Sequence, residues 1–182
     1  MKPQPQVIPM KRKTKGLSTI VIMGLLILIG IVLAVGMYSY TKRYTKGSDV
    51  VTASAVVNGN SWVNGKPVYQ VKLTLQSKAK TRLQVDTIRA IGTLKDGTAV
   101  NTAFTGGTGT LGSGRTTYYQ VQIVPAPRSN DAWLTPGSQK DFVLMFTGTD
   151  ANHAIHSLSF QIVLKDDSGN TYTVQTGEVT FG

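Results

Sequence analysis

Few residues in this chain have types and spacings that invite chemistry, and they are scattered. His153 and His156 stand three apart with Asp150 just upstream, a spacing that could supply metal ligands. In a loop ahead of a strand, two solvated histidines are the plainer reading. Asp166, Asp167 and Asn170 in KDDSGN have the composition of part of a calcium loop, but the spaced acidic ligands and the closing Glu are missing. A hairpin turn accounts for them. Residues 106–114, GGTGTLGSG, have the glycine density of a phosphate loop without a Gly-Lys-Ser/Thr sequence or a following helix, so a mobile hairpin loop is expected. Trp62, Trp133, Tyr118 and Tyr119 have ring faces that stack on sugars, and equally the bulk that fills a sandwich core or a subunit contact. With no cysteine there is no thiol nucleophile, disulfide or thiolate cluster. No Ser-His-Asp set and no paired-carboxylate framework stands clear of turn residues. The sequence is therefore read as non-enzymatic, with no cofactor and no metal.

The elements that would position such residues are mostly strands. Tyr69, Val71, Leu73 and Leu75 alternate with polar neighbours, as do Tyr119, Val121 and Ile123, and Leu158, Phe160, Ile162 and Leu164. Period two with one apolar side marks half-buried antiparallel strands. Val51, Ala53, Ala55 and Val57 give a first strand, residues 83–94 a longer one with a phase break near Thr87, and Phe142, Leu144 and Phe146 another. Tyr172 and Val174, then Val179 and Phe181, end the chain with a phase shift across Gly177. Turn chemistry lies in NGNSWVNGKP, KDGT, GGTGTLGSG, PAPRSND, TPGS and DDSGN. Seven or eight antiparallel strands are expected over residues 48–182, an all-β immunoglobulin-like sandwich. No Asn-x-Ser/Thr sequon occurs, and the 23 threonines suit strand faces while leaving O-linked sugars open.

Ahead of that domain lies a different kind of chain. Residues 17–37 hold 21 positions without a charge, nearly all Leu, Ile, Val, Met, Gly or Ala. At about 1.5 Å per residue they span roughly 31 Å as a helix, which matches a bilayer core of about 30 Å. The net charge of +10 is concentrated beside this run: Lys2, Lys11, Arg12, Lys13 and Lys15 precede it, and Lys42, Arg43 and Lys46 follow. Residues 48–182 carry 11 basic against 9 acidic side chains. A nucleic-acid-binding domain would concentrate its charge on the folded part, so nucleic acid is not an expected partner. The heavier N-terminal cluster predicts that end in the cytoplasm, with Tyr38, Tyr40 and Tyr44 in the opposite interfacial belt. The apolar run is too long for an ordinary secretory signal.

KRKTKG followed by LSTIVIMGLLILIGIVLAVGMY resembles the class III signal peptide and N-terminal helix of archaeal type IV pilins and the related archaellins. The resemblance covers about a quarter of the chain. It implies that a prepilin peptidase cuts between Gly16 and Leu17, with Lys15 just before the cut, removing residues 1–16 and leaving 166 of the 182 residues. It also implies a hydrophobic helix over 17–47, a membrane span in the precursor and the filament core after assembly. Bacterial type IV pilins usually carry Glu at the fifth mature position; here Val21 stands there, which points to the archaeal branch. Expected helix-packing positions are Leu17, Val21, Gly24, Gly30, Ala34 and Gly36. Gly30 and Ala34 form a small-xxx-small pair, although glycine is common in membrane helices in any case.

Physics links these features. Baring a dozen large aliphatic side chains at about 1.5–3 kcal/mol each would cost tens of kcal/mol, so the apolar segment should pass from lipid directly into a bundle of identical segments. Cleavage deletes five positive charges that would otherwise be drawn into lipid or the bundle. The expected architecture is α+β overall: a long hydrophobic N-terminal α-helix, then the sandwich, displayed outside the cell. The expected function is a structural subunit, a major pilin of an adhesive pilus-like filament. Its partners would be identical subunits, the membrane, the prepilin peptidase and assembly machinery, and a surface or carbohydrate ligand. An archaellin subunit of a motility filament, or a single-span surface binding protein that never polymerises, remain as alternatives.

Overall fold

The computed structural model describes residues 23, 27–29, 31, 44–46 and 49–182. Contacts divide the chain into two units, Met1–Tyr40 and Thr41–Gly182. In the first, residues 23, 27–29 and 31 are helical and exposed. The rest of the expected helix over 17–47 lies outside the described residues, apart from the strand Tyr44–Lys46. Among the described residues no helix is long and apolar enough to cross a membrane.

The second unit is built from twelve strands: β1 (Tyr44–Lys46), β2 (Val51–Val63), β3 (Lys66–Ser77), β4 (Leu83–Leu94), β5 (Ala99–Phe104), β6 (Thr108–Ser113), β7 (Thr116–Val124), β8 (Trp133–Leu134), β9 (Gln139–Gly148), β10 (Ile155–Asp166), β11 (Thr171–Gln175) and β12 (Val179–Thr180). One sheet runs β2-β3-β9-β7-β6. The other runs β1-β11-β10-β4-β5, with β12 also on β10 and β8 also on β4. All pairings are antiparallel except β1 with β11, where Tyr44–Lys46 run parallel to residues 171–173.

If β2 to β7 are taken as immunoglobulin strands A, B, C, C′, D and E, and β10 and β11 as F and G, the larger sheet has the G-F-C-C′ order. The five-stranded sheet is A-B-E-D with β9 inserted between B and E. That insertion is the departure from the expected sandwich, and it widens one sheet by a strand.

The count exceeds the expected seven or eight for identifiable reasons. β1, β8 and β12 have only two or three residues, too few for alternation to register. β6 occupies the glycine-rich run expected to be a mobile loop. Its Leu111 is fully buried and its carbonyl and amide groups pair with β7, so backbone pairing overrides the low strand propensity of glycine. β2 continues through Asn58, Gly59 and Asn60 to Val63, absorbing Asn58 as a bulge opposite the Val71/Gln70 step. The turn is confined to Asn64 and Gly65, with φ of 52° and 73°, the left-handed pair that a two-residue hairpin requires.

The core sits where the inner faces meet. Tyr69, Leu73, Leu75, Phe142, Leu144 and Phe146 from one sheet oppose Leu83, Ile88, Phe160, Ile162 and Leu164 from the other, all at most 2% exposed. Phe146 and Phe160 meet across the sandwich in a tilted pair with ring centroids 6.5 Å apart. The phase break in β4 is a bulge: Val85 and Thr87 pair with consecutive residues Leu164 and Val163, leaving Asp86 over. Both apolar halves of β4 thereby face the core. Gly92 permits the closest strand approach, since a Cβ there would lie 2.0 Å from the Ser157 carbonyl oxygen.

Candidate functional site

The processing residues Lys15, Gly16 and Leu17, and the packing residues Val21, Gly24, Gly30, Ala34 and Gly36, lie outside the described residues. The structure does place the candidates of the outer domain, and it keeps them apart.

His153 is held by Asp150. Its Nδ1 lies 2.8 and 2.9 Å from the two carboxylate oxygens, while Nε2 stands 3.9 Å from Asp96 Oδ2. Tyr118 lies against the imidazole with ring centroids 4.6 Å apart. His153 is thus clasped in its loop rather than freely solvated, whereas His156 is exposed on β10. Among the described residues no group of three or more His, Asp or Glu side chains is arranged to hold a metal ion. The Asp150-x-x-His153 spacing was the readable signal. What it encodes is a loop clasp.

In KDDSGN, Asp166 organises the β10–β11 hairpin. Its Oδ1 accepts the amides of Ser168 and Asn170 at 2.9 and 2.8 Å, and its Oδ2 accepts from the Asn170 side chain and the Tyr172 hydroxyl at 2.8 and 3.1 Å. These donors occupy the lone pairs that a cation would need, and the element is the expected hairpin turn. Asp167 makes a two-pronged ion pair with Arg82, whose guanidinium also lies 4.7 Å above the Trp133 ring. The four aromatic candidates do not converge. Tyr119 is fully buried and donates its hydroxyl to the His153 carbonyl, Tyr118 covers His153, Trp133 sits under Arg82, and Trp62 is 57% exposed near the β2–β3 tip. Tyr119 was readable as core, because it shares the inward phase of Val121 and Ile123.

The carboxylates follow one electrostatic pattern. Burial by itself would raise the Asp86 carboxyl, but hydrogen bonds from Arg128, Lys165 and Thr87 outweigh it and hold it below the usual carboxylate range. Burial likewise opposes, and the Asn170, Tyr172 and Ser168 donors overcome it, at Asp166. Lys72 lowers Asp141, and His153 lowers Asp150. A carboxyl whose folded value lies below its unfolded value of about 4 contributes stability above that value and loses it as pH falls through the folded value. Thermal unfolding of the full chain, followed by tryptophan fluorescence, should give a constant midpoint between about pH 7 and pH 5 and a falling one below about pH 4. A midpoint that rises on acidification would contradict this electrostatic account.

The feature that sequence reading did not isolate is a surface. The exposed large hydrophobic residues of the sandwich are Val56, Trp62, Val63, Val124 and Met145. All five lie on strands of the five-stranded sheet. Register aligns Val56, Lys72, Val143 and Val124 in one row across its outer face, and Gln70, Met145, Gln122 and Thr108 in the next. The central charges, Lys72 and Asp141, neutralise each other at 2.9 Å. The row exists only because β9 brings Val143 and Met145 between β3 and β7.

The described residues therefore define a two-sheet, mainly antiparallel β-sandwich with immunoglobulin-like strand order and a partly apolar outer face whose central charges pair. No protein-family model and no curated protein matches the chain. Among solved structures it is similar to the structural-genomics target SoR45, at 9% identity over 72% of this chain and 84% of that one, with a TM-score of 0.48. It is also similar to the archaellum periplasmic stator protein FlaG from Sulfolobus acidocaldarius, at 12% identity over 68% and 99%, with a TM-score of 0.29. The archaeal flagellum of Methanospirillum hungatei strain JF1 matches at 14% identity over 86% and 80%, with a TM-score of 0.34. Identities and scores at this level assign no function to the chain.

Proposed function

We propose that this chain is a structural, non-catalytic subunit of an archaeal type IV pilus-like extracellular filament, displayed on the cell surface and acting in adhesion. It is made as a membrane precursor with its N-terminus inside, cut after Gly16, and polymerised through the apolar segment that begins at Leu17. The observation that carries this reading is the order of the chain: a basic cluster ending in Lys15 and Gly16, 21 uncharged residues, and then a β-sandwich. The apolar segment has two shelters from water, lipid and copies of itself, and removal of the cationic leader lets it exchange one for the other. The sandwich, whose buried core among the described residues runs from Val51 to Phe181, is left free to coat the outside.

Electron microscopy of sheared surface fibres, with mass spectrometry of their main component, tests this directly. The expected result is thin fibres composed of this chain, with Leu17 at the mature N-terminus. Solitary molecules in membrane vesicles with residues 1–16 still attached would overturn the reading in favour of a fixed anchor. Loss of swimming, rather than of attachment, on deletion of the chain would reassign the filament to motility.

A further inference from the structure

Resting on the filament reading, we infer that the outer face of the five-stranded sheet is the side of the domain that packs against a neighbouring copy of this chain. Four of the five exposed large hydrophobic residues of the sandwich, Val56, Val63, Val124 and Met145, share the outward phase of this sheet, while Trp62, opposite Pro67, has the inward phase. The Lys72–Asp141 pair leaves the face centre without net charge. Two such domains can approach without desolvating an unpaired charge. Gln70, Gln122, Val124, Val143 and Met145 form a Met- and Val-centred patch flanked by amide side chains that both donate and accept, the apolar-centre, polar-border composition of a subunit contact.

Size agrees with a protein partner. Five strands about 4.8 Å apart and roughly ten residues long present on the order of 700 Å², close to the roughly 800 Å² per partner of a standard interface. The two rows that hold Val143 and Met145 carry no aromatic side chain, and Tyr118, further along the same phase of β7, lies against His153, so the ring-stacking platform that would favour a sugar polymer is missing there. A second copy also needs no strong intrinsic affinity. Subunits already joined through their N-terminal segments hold their outer domains at high effective concentration, where a weak neutral face is enough. In an open polymer the contact is heterologous, so the neighbour covers this face with a different patch of its own surface.

The absence of native cysteine makes a direct test available. Gln122→Cys and Met145→Cys place a thiol on the proposed contact face, and Gln175→Cys places one on the exposed outer side of β11 in the other sheet. A maleimide reagent is applied to the mature chains in sheared fibres and to the same chains dispersed in detergent. In fibres, labelling of the first two is expected to slow by about tenfold or more, as in a contact core that excludes water, and to slow more than that of Gln175→Cys. Equal labelling of all three in both states, or protection of Gln175→Cys alone, would overturn the face assignment and leave the filament reading standing. Protection on intact cells that vanishes in sheared fibres would assign the face to a partner other than this chain and overturn it equally. A chain that yields no fibres at all removes the filament reading, and this inference with it.

Discussion

Phe160→Ala is expected to destabilise the sandwich by about 3–5 kcal/mol, a large part of the roughly 5–15 kcal/mol that holds a domain of this kind folded. Phe160 is fully buried at the middle of β10 and opposes Phe146 across the two sheets. Its removal takes away the transfer free energy of the ring and opens a cavity between two sheets that cannot both collapse into it. The adjoining ladder resists such movement: the Phe160 amide donates to the Thr176 hydroxyl at 3.0 Å, and the Thr176 amide donates to the Phe160 carbonyl at 2.9 Å. Phe160→Leu, which keeps most of the volume, should lose less than half as much. Denaturant unfolding monitored by fluorescence measures both, and a cost for Phe160→Ala below about 1 kcal/mol would mean that the two inner faces do not meet there.

The second large effect concerns processing. Replacing Gly16 with a bulky residue such as Trp is expected to leave full-length precursor in the membrane and to abolish fibres. A peptidase that cuts beside a glycine gains close backbone access there, and a large side chain blocks it. The retained Lys2, Lys11, Arg12, Lys13 and Lys15 would then bring five positive charges into a bundle that has nothing to pair with them. Immunoblotting should show one band heavier by the 16 leader residues, and microscopy should show bare cells. Normal fibres built from uncut Gly16→Trp chains would remove the link between trimming and assembly.

The strands that sequence reading located are those whose two faces see different surroundings. β3, β7, β9 and β10 alternate because one side is core and the other is water, and the Thr87 phase break reported the Asp86 bulge because both halves of β4 must face inward. Failures came where backbone pairing rather than side-chain burial holds the strand. The end of β2 and all of β6 are rich in Gly, Asn and Thr, the residues of turns, yet each is paired to a neighbour. The pairing of β3 with β9 was also beyond reach, since Val71 meets Leu144 through a match of shape between segments far apart in the chain. That pairing creates the outer contact face, so the face stayed hidden for the same reason. The Gly16 boundary and its neighbours lie outside the described residues, and their reading rests on charge and hydropathy alone.

The β2–β3 hairpin runs beyond the last β3–β9 pair at Val68 and Thr147, so Ser61, Trp62, Val63, Asn64, Gly65 and Lys66 form a two-stranded overhang with no third strand beneath it. Its residues answer to no core partner, and its turn asks only for two positions that tolerate left-handed backbone. This tip can therefore take other sequences without disturbing the packing that keeps the sandwich folded.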